Sequence, residues 1–177
     1  ARFAADGYHS TSVADIVDGL GVGKGVFYWY FSSKEELFIE ILRTSQTDMR
    51  RRQQKAIADE SDPVKQVELG IRAGVAWLAE HNDQRRLFEF ARTESAFDAA
   101  MKAGQSVLVA DAVVYLAEAI EAGLIPDRDP ESLALAIIGV SNQLTKVYID
   151  GRGEDPDRVA DMVVDFCLEG IGVGTRR

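Results

Sequence analysis

Apolar and polar positions along this chain repeat with the period of a helix almost from end to end. In "STSVADIVDGLGV", Val13, Ile16, Val17 and Leu20 fall at i, i+3, i+4 and i+7, one apolar face. Thr11 or Ser12 is a natural N-cap, and Ser12 with Asp15 makes a capping box. Gly21 stands where a helix end favours positive φ, and Gly23 can cap the next helix. Two short helices meeting through a glycine-containing turn are a helix-turn-helix signature. Ser33 and Glu36 give a second capping box before Leu37, Phe38, Ile39, Ile41 and Leu42, and predict a helix running to about residue 58. Further helices are expected near 62–81, 84–93, 95–122, 130–150 and 156–170, with Pro63, Pro130 and Pro156 just inside three of the starts. No segment reads as strand-turn-strand, so the expected fold is all-α.

The stretch "GVGKGVFYWYFSSKEEL" sets five aromatics in a row, Phe27 to Phe31, out of 15 in the chain. On a helix turning ~100° per residue they cannot share one face. Phe27 and Phe31, four apart, fall together as core anchors, while Val26, Trp29 and Tyr30 share roughly the opposite face and Tyr28 sits on the flank. An exposed aromatic plate needs a partner. DNA fits: Tyr and Trp donate to phosphates, apolar atoms meet thymine methyls, and Lys24 and Lys34 bracket the plate with positive charge. A protein–protein contact is the alternative, with the helical chain acting as an interaction module that docks a partner on this plate.

These residues carry a resemblance. "GYHSTSVADIVDGLGVGKGVFYWYFSSKEELF" resembles the N-terminal DNA-binding domain of the tetracycline-repressor (TetR) family of transcription regulators. The agreement lies in Gly7, Tyr8, Thr11, Ser12, Val13, Ile16, Val17, Gly21, Val22, Gly25, Phe27, Tyr28, Tyr30, Phe31, Ser33, Lys34, Glu35 and Leu37. Gly23 departs from it, standing where the family usually has Ser or Thr and removing a side-chain cap. The resemblance implies that Thr11 and Ser12, at a helix N-terminus, contact phosphate. It places Lys24, Gly25, Val26, Trp29 and Tyr30 toward the major groove, and Tyr28 and Lys34 at phosphates. The implied domains are a helix-turn-helix DNA-binding domain over 1–43, its first helix cut short at the start, and a larger effector-binding and dimerisation domain over 44–177.

Charge sharpens this division. The chain carries a net −9, yet residues 1–55 hold eight Lys/Arg against seven acids, leaving −10 on the remainder. With Cys167 the single cysteine, no internal disulfide can form, which fits a reducing cytosol; a small buried hydrophobe and an intermolecular bridge are both open to it. No apolar run approaches the ~18–20 residues of a membrane span, so neither a membrane nor a signal peptide is expected, and the localisation expected is cytoplasmic. "GLGVGKG" lacks the glycine and the hydroxyl residue of a phosphate loop. His9 and His81 are the only histidines, and no metal-ligand spacing or nucleophile–base pair appears, so neither an enzyme, a metal site nor a cofactor is expected. "RRR" at 50–52 and the stripe Asp161, Asp165, Glu169 read as solvated faces.

Residues 133–149 are apolar almost all round, and Val159, Met162, Val163, Phe166, Cys167 and Gly170 line one side of the last helix. This excess suits a homodimer joined through the last two long helices, as in TetR-like proteins, on a two-fold symmetric double-stranded operator. By the same resemblance an effector pocket lies among the middle helices, with Trp77, Phe88, Glu89, Arg92, Phe97, Met101, Tyr115, Asn142 and Gln143 as candidate lining beside Phe90 and Leu108. The expected function is a ligand-responsive transcriptional repressor released from its operator by a small, largely hydrophobic molecule.

Overall fold

In the computed structural model, which describes residues 2–174, side-chain caps at Ser12, Asp129 and Asp155 set where three of the helices begin. The helices are α1 (Arg2–Asp6), α2 (Val13–Leu20), α3 (Lys24–Tyr30), α4 (Lys34–Ile57), α5 (Pro63–Glu80), α6 (Asn82–Ala91), α7 (Asp98–Glu121), α8 (Pro130–Leu144) and α9 (Pro156–Ile171). A 3-10 turn, Ser95–Phe97, leads into α7, and α8 widens into a π-helical turn over Thr145–Asp150. Pro130 and Pro156 occupy first-turn positions behind the caps Asp129 and Asp155, whose carboxylates accept backbone N–H groups of the first turn. No strand occurs among the described residues, and the protein is all-α.

The helices assort into two compact units. The first takes residues 1–47 and 81–104, and the second takes 48–80 and 105 onward. The first is therefore discontinuous in sequence, drawing in α6 and the 3-10 turn, which sequence analysis assigned to the second domain.

In the second unit α5 packs along α9, and α8 lies against α9. Its core is built from Val75, Leu116, Val159 and Val163 with Ile71, Ala134, Ile137 and Val164 around them. Trp77 is buried and its indole Nε1 donates to Asp48 Oδ2 at 2.8 Å. The "RRR" run is more engaged than expected: Arg50 makes a two-pronged bond to Asp111 (2.5 and 2.9 Å), and Arg52 pairs with Glu80. Asp161, read as solvated, accepts from Arg72 Nη1 at 2.6 Å. Cys167 is buried in this core, and burial pushes its thiol up to about 11. The native chain should therefore resist a thiol reagent such as DTNB at pH 8 and react quickly once denatured. Rapid labelling of the native chain, or a disulfide-linked dimer on a non-reducing gel, would contradict this placement.

Two stretches, Ser95–Glu121 and Pro130–Asp150, are long and apolar enough to cross a membrane by length and composition alone, which corrects the expectation that no segment reaches that length. Both supply core positions here, Leu116 and Ala119 on one and Ala134 and Ile137 on the other.

Candidate nucleic-acid interface and effector cavity

Helix α2 is fixed at both ends. Ser12 N–H donates to Asp15 Oδ2 at 2.8 Å and Asp15 N–H donates back to Ser12 Oγ at 3.2 Å, closing the capping box. Ser12's hydrogen bonds hold the Asp15 carboxyl below the usual carboxylate range. At the other end Gly21 adopts φ +68°, and the Gly21 and Val22 N–H groups donate to the carbonyls of Asp18 and Val17. That left-handed residue is why glycine stands there. Gly23 then caps α3 with no side-chain hydrogen bond.

Val17 and Phe27 anchor the pair in the core, with Phe31 half-buried 5.8 Å from the Phe27 ring. The other face of α3 is bare. Trp29 is 82% exposed, Tyr30 68% and Val26 46%, and Tyr28 stands outward with its ring edge-on to Phe27. The Trp29 and Tyr30 rings lie 5.6 Å apart and tilted by 32°, forming one plate. A Cβ at Gly25 would meet nothing within 4 Å, so backbone is open there, and Lys24 is exposed beside it.

Besides Tyr28, the three residues expected at phosphates are placed differently from one another. Ser12 is exposed. Thr11 is 1% exposed, and its Oγ1 donates to Gly7 O at 2.6 Å, so this hydroxyl serves the turn and not the surface. The Lys34 ammonium donates to Tyr8 O (2.8 Å) and Thr11 O (3.0 Å) and sits 4.3 Å over the Tyr8 ring. It therefore staples the start of α4 to the loop before α2. Behind the staple, Tyr8 packs with Phe38, Phe90 and Phe97 at centroid distances of 5.0–5.4 Å, and His9 Nε2 lies 3.0 Å from Glu94 Oε1.

The nine residues expected to line an effector pocket divide between the units. Phe88, Glu89, Arg92, Phe97 and Met101 belong to the first; Trp77, Tyr115, Asn142 and Gln143 belong to the second. A cavity of about 120 Å³ lies within the second unit, bounded by α4, α5, α7 and α8, and of the nine only Tyr115 and Asn142 line it. Leu108 lines it too. Phe97 is instead buried in the aromatic cluster of the first unit, where it packs 4.5 Å from Phe38. Sequence reasoning missed the α4 and α5 wall: Met49, Gln53, Gln54, Ile57, Gln66, Val67, Gly70, Ile71, Gly74, Val75 and Leu78. The available signal was Gly70 and Gly74, small residues one turn apart on α5: Gly70 leaves open space and Gly74 admits the Gln53 side chain.

The family model for the bacterial regulatory proteins of the tetR family matches residues 1–41, which hold the capped turn, α3 and the Lys34 staple. The chain belongs to the tetR family. Across most of its length it is similar to the HTH-type transcriptional regulator YdgC of Bacillus subtilis (24% identical, 96% of this chain and 87% of that one). The HTH-type transcriptional activator FasR of Mycolicibacterium smegmatis is 26% identical over 96% of this chain and 77% of its own. The solved structure of the ketosteroid transcriptional regulator KstR2 of Mycobacterium tuberculosis shares the fold, with a TM-score of 0.74 at 24% identity over 96% of this chain and 89% of that one.

As a TetR-family member the chain is a DNA-binding transcriptional regulator and not an enzyme. Such regulators bind operator DNA, generally as dimers, and respond to small molecules. No comparison supports the protein-interaction module as the role of the aromatic plate. The outer face of α3 stays exposed in this unit, while the Thr11 hydroxyl and the Lys34 ammonium are bound to backbone carbonyls of the loop before α2.

Proposed function

We propose that this regulator works in the cytoplasm as a homodimeric repressor, that α3 of each copy enters the major groove of a two-fold symmetric operator, and that a small, largely hydrophobic effector in the second unit's cavity weakens the complex. The carrying observation is the exposed plate of Val26, Trp29 and Tyr30 after a glycine turn inside the segment matched to the family. Lys24, Gly25 and Tyr28 surround it, and Ser12 presents an exposed helix N-terminus to a phosphate. Coupling of ~1–3 kcal/mol between effector and operator suffices for a 5–150-fold change in affinity.

The dimer reading is supported by what α8 and α9 leave outward. Leu135, Ala136 and Gly139 face out of α8, and Phe166 (61% exposed) and Gly170 face out of α9. A Cβ at Gly139 or Gly170 would meet nothing within 4 Å, so both positions leave room for close approach. On a two-fold symmetric operator, dimeric helix-turn-helix proteins occupy half-sites about one helical turn (~34–36 Å) apart. Phe166→Glu should turn a micromolar dimer into a monomer in sedimentation analysis and leave helicity unchanged. A dimer of undiminished strength would move the interface elsewhere.

The test of the whole reading is selection of binding sites from random-sequence DNA with the purified protein. Recovery of a two-fold symmetric site supports it. Binding that shows no preference over random DNA removes the operator role.

A further inference from the structure

The cavity of the second unit has a wall whose chemistry selects among hydrophobic molecules. Its body is apolar, made by Val67, Ile71 and Val75 of α5, Ala112 of α7, and Ile137 and Ile138 of α8. No Lys, Arg or His lines it. The one carboxylate on the wall, Asp111, has both oxygens taken up by Arg50, at 2.5 and 2.9 Å. The wall therefore presents no uncompensated charge of either sign.

Its uncharged polar groups are several, and part of their bonding capacity is unused. Gln53 Nε2 is spent on Gly70 O (3.0 Å), Ser141 Oγ on Ile137 O (2.7 Å) and Gln66 Nε2 on Glu60 O (2.6 Å). Gln66 Oε1 is buried with no donor. The Tyr115 hydroxyl and the Asn142 side-chain amide line the same cavity and have no hydrogen-bond partner among the described residues. Of these, Gln66 Oε1 is the buried atom without a partner, a rare state in folded proteins that calls for an explanation, while Tyr115 and Asn142 are half-buried. A ligand hydroxyl both donates and accepts, so it can serve a phenol, an amide and a lone carbonyl oxygen alike. A carboxylate only accepts, and in an apolar cavity without a cation it must shed its hydration with nothing to replace it.

We infer that the effector of this regulator is an uncharged amphipathic molecule, an apolar body bearing a hydroxyl, and that the cavity discriminates against the corresponding carboxylate anion. This inference rests on the cavity being the effector site. The low polarity that would exclude an anion also raises the Tyr115 phenol, chiefly through burial and then through Asp111 and Glu118. An engineered apolar cavity of about 150 Å³ accepts benzene, so the cavity here is of a size to take a short chain or a single ring.

The experiment uses a matched pair, 1-octanol and octanoate, titrated calorimetrically into the full chain at pH 7.5. It is repeated on Ala112→Phe, which fills the cavity, and on Asp111→Asn, which frees the Arg50 guanidinium. The expected result is that octanol binds at least tenfold more tightly than octanoate, and that Ala112→Phe abolishes the octanol signal while keeping its helical circular dichroism. Asp111→Asn should strengthen octanoate at least tenfold relative to the parent. If octanoate binds the parent as tightly as octanol, the charge argument is overturned and the cavity survives as a ligand site. If neither binds, or if filling the cavity changes nothing, the cavity is not the effector site and the inference falls with it. Selection of operator DNA is independent of all three outcomes, so failure of the DNA-binding reading is seen separately. Should Ala112→Phe lose its helical signal, Ile138→Phe on the facing helix serves as the filling variant.

Discussion

Trp29→Ala lowers affinity for the selected operator by about tenfold to a hundredfold and leaves thermal stability within a degree or two. The side chain is 82% exposed, so its removal takes little from the fold. Its cost falls on the interface, where a good base contact is worth ~1–3 kcal/mol of discrimination. The composition of α3, KGVFYWY, says what is read. It contains no Arg, Asn, Gln, Asp or Glu, so Lys24 is its one side chain able to make paired hydrogen bonds to a base edge. The bare face offers apolar and aromatic surface, whose match in the major groove is the thymine methyl. Replacing the thymines of a half-site by uracils should thus cost as much as Trp29→Ala, and the two losses should not add. Lys24 is the single cation on α3, and the Lys34 ammonium is bound to two carbonyls, so the salt dependence contributed by this helix should be shallow. Fluorescence anisotropy on wild-type and uracil-substituted sites measures all of this. A Trp29→Ala variant within twofold of the parent would remove the plate from the recognition surface.

Phe38→Ala gives the largest expected loss of stability. Phe38 is 0% exposed and meets the rings of Phe3, Tyr8, Phe90 and Phe97 at 4.5–5.8 Å. Truncating a buried Phe costs about 3–5 kcal/mol, because the cavity left behind collapses only in part. For a chain of this size that corresponds to roughly 6–20 °C in Tm. Phe38→Leu keeps most of the volume and should cost less than about 1.5 kcal/mol. Operator binding should fall in parallel with Phe38→Ala, since Tyr8 in this cluster gives its carbonyl to Lys34. Equal melting temperatures for the Ala and Leu variants would show that the cluster is not what holds this unit.

The helix-turn-helix was legible because its information is local. Ser12 with Asp15, Gly21 at positive φ and the two faces of Phe27 to Phe31 are each decided within four residues. The helix starts at Pro63, Pro130 and Pro156 were legible for the same reason. What was not legible is long-range. Phe90 and Phe97 carry no sequence mark that sends them to Tyr8 and Phe38 rather than to a pocket, because an aromatic on an apolar face fits both. The wall of the cavity was hidden behind Gln53, Gln54 and Gln66, amides that read as surface until the helices are packed. Arg50 and Arg52 looked like solvated charge because Asp111 and Glu80, which hold them, lie 61 and 28 residues away.

The aromatic cluster also bears on how portable the DNA-binding part is. The segment that carries the family pattern ends at residue 41, but the rings that close its core, Phe90 and Phe97, arrive from 81–104. A chimaera that transplants 1–41 alone onto another regulator would carry the reading surface with its underside uncovered, and Phe38 and Tyr8 would be left to aggregate or to repack on foreign residues. The exchangeable cassette in this protein is two-piece. Anyone re-targeting it to a new operator should exchange residues on the outer face of α3 and leave both pieces of its support in place.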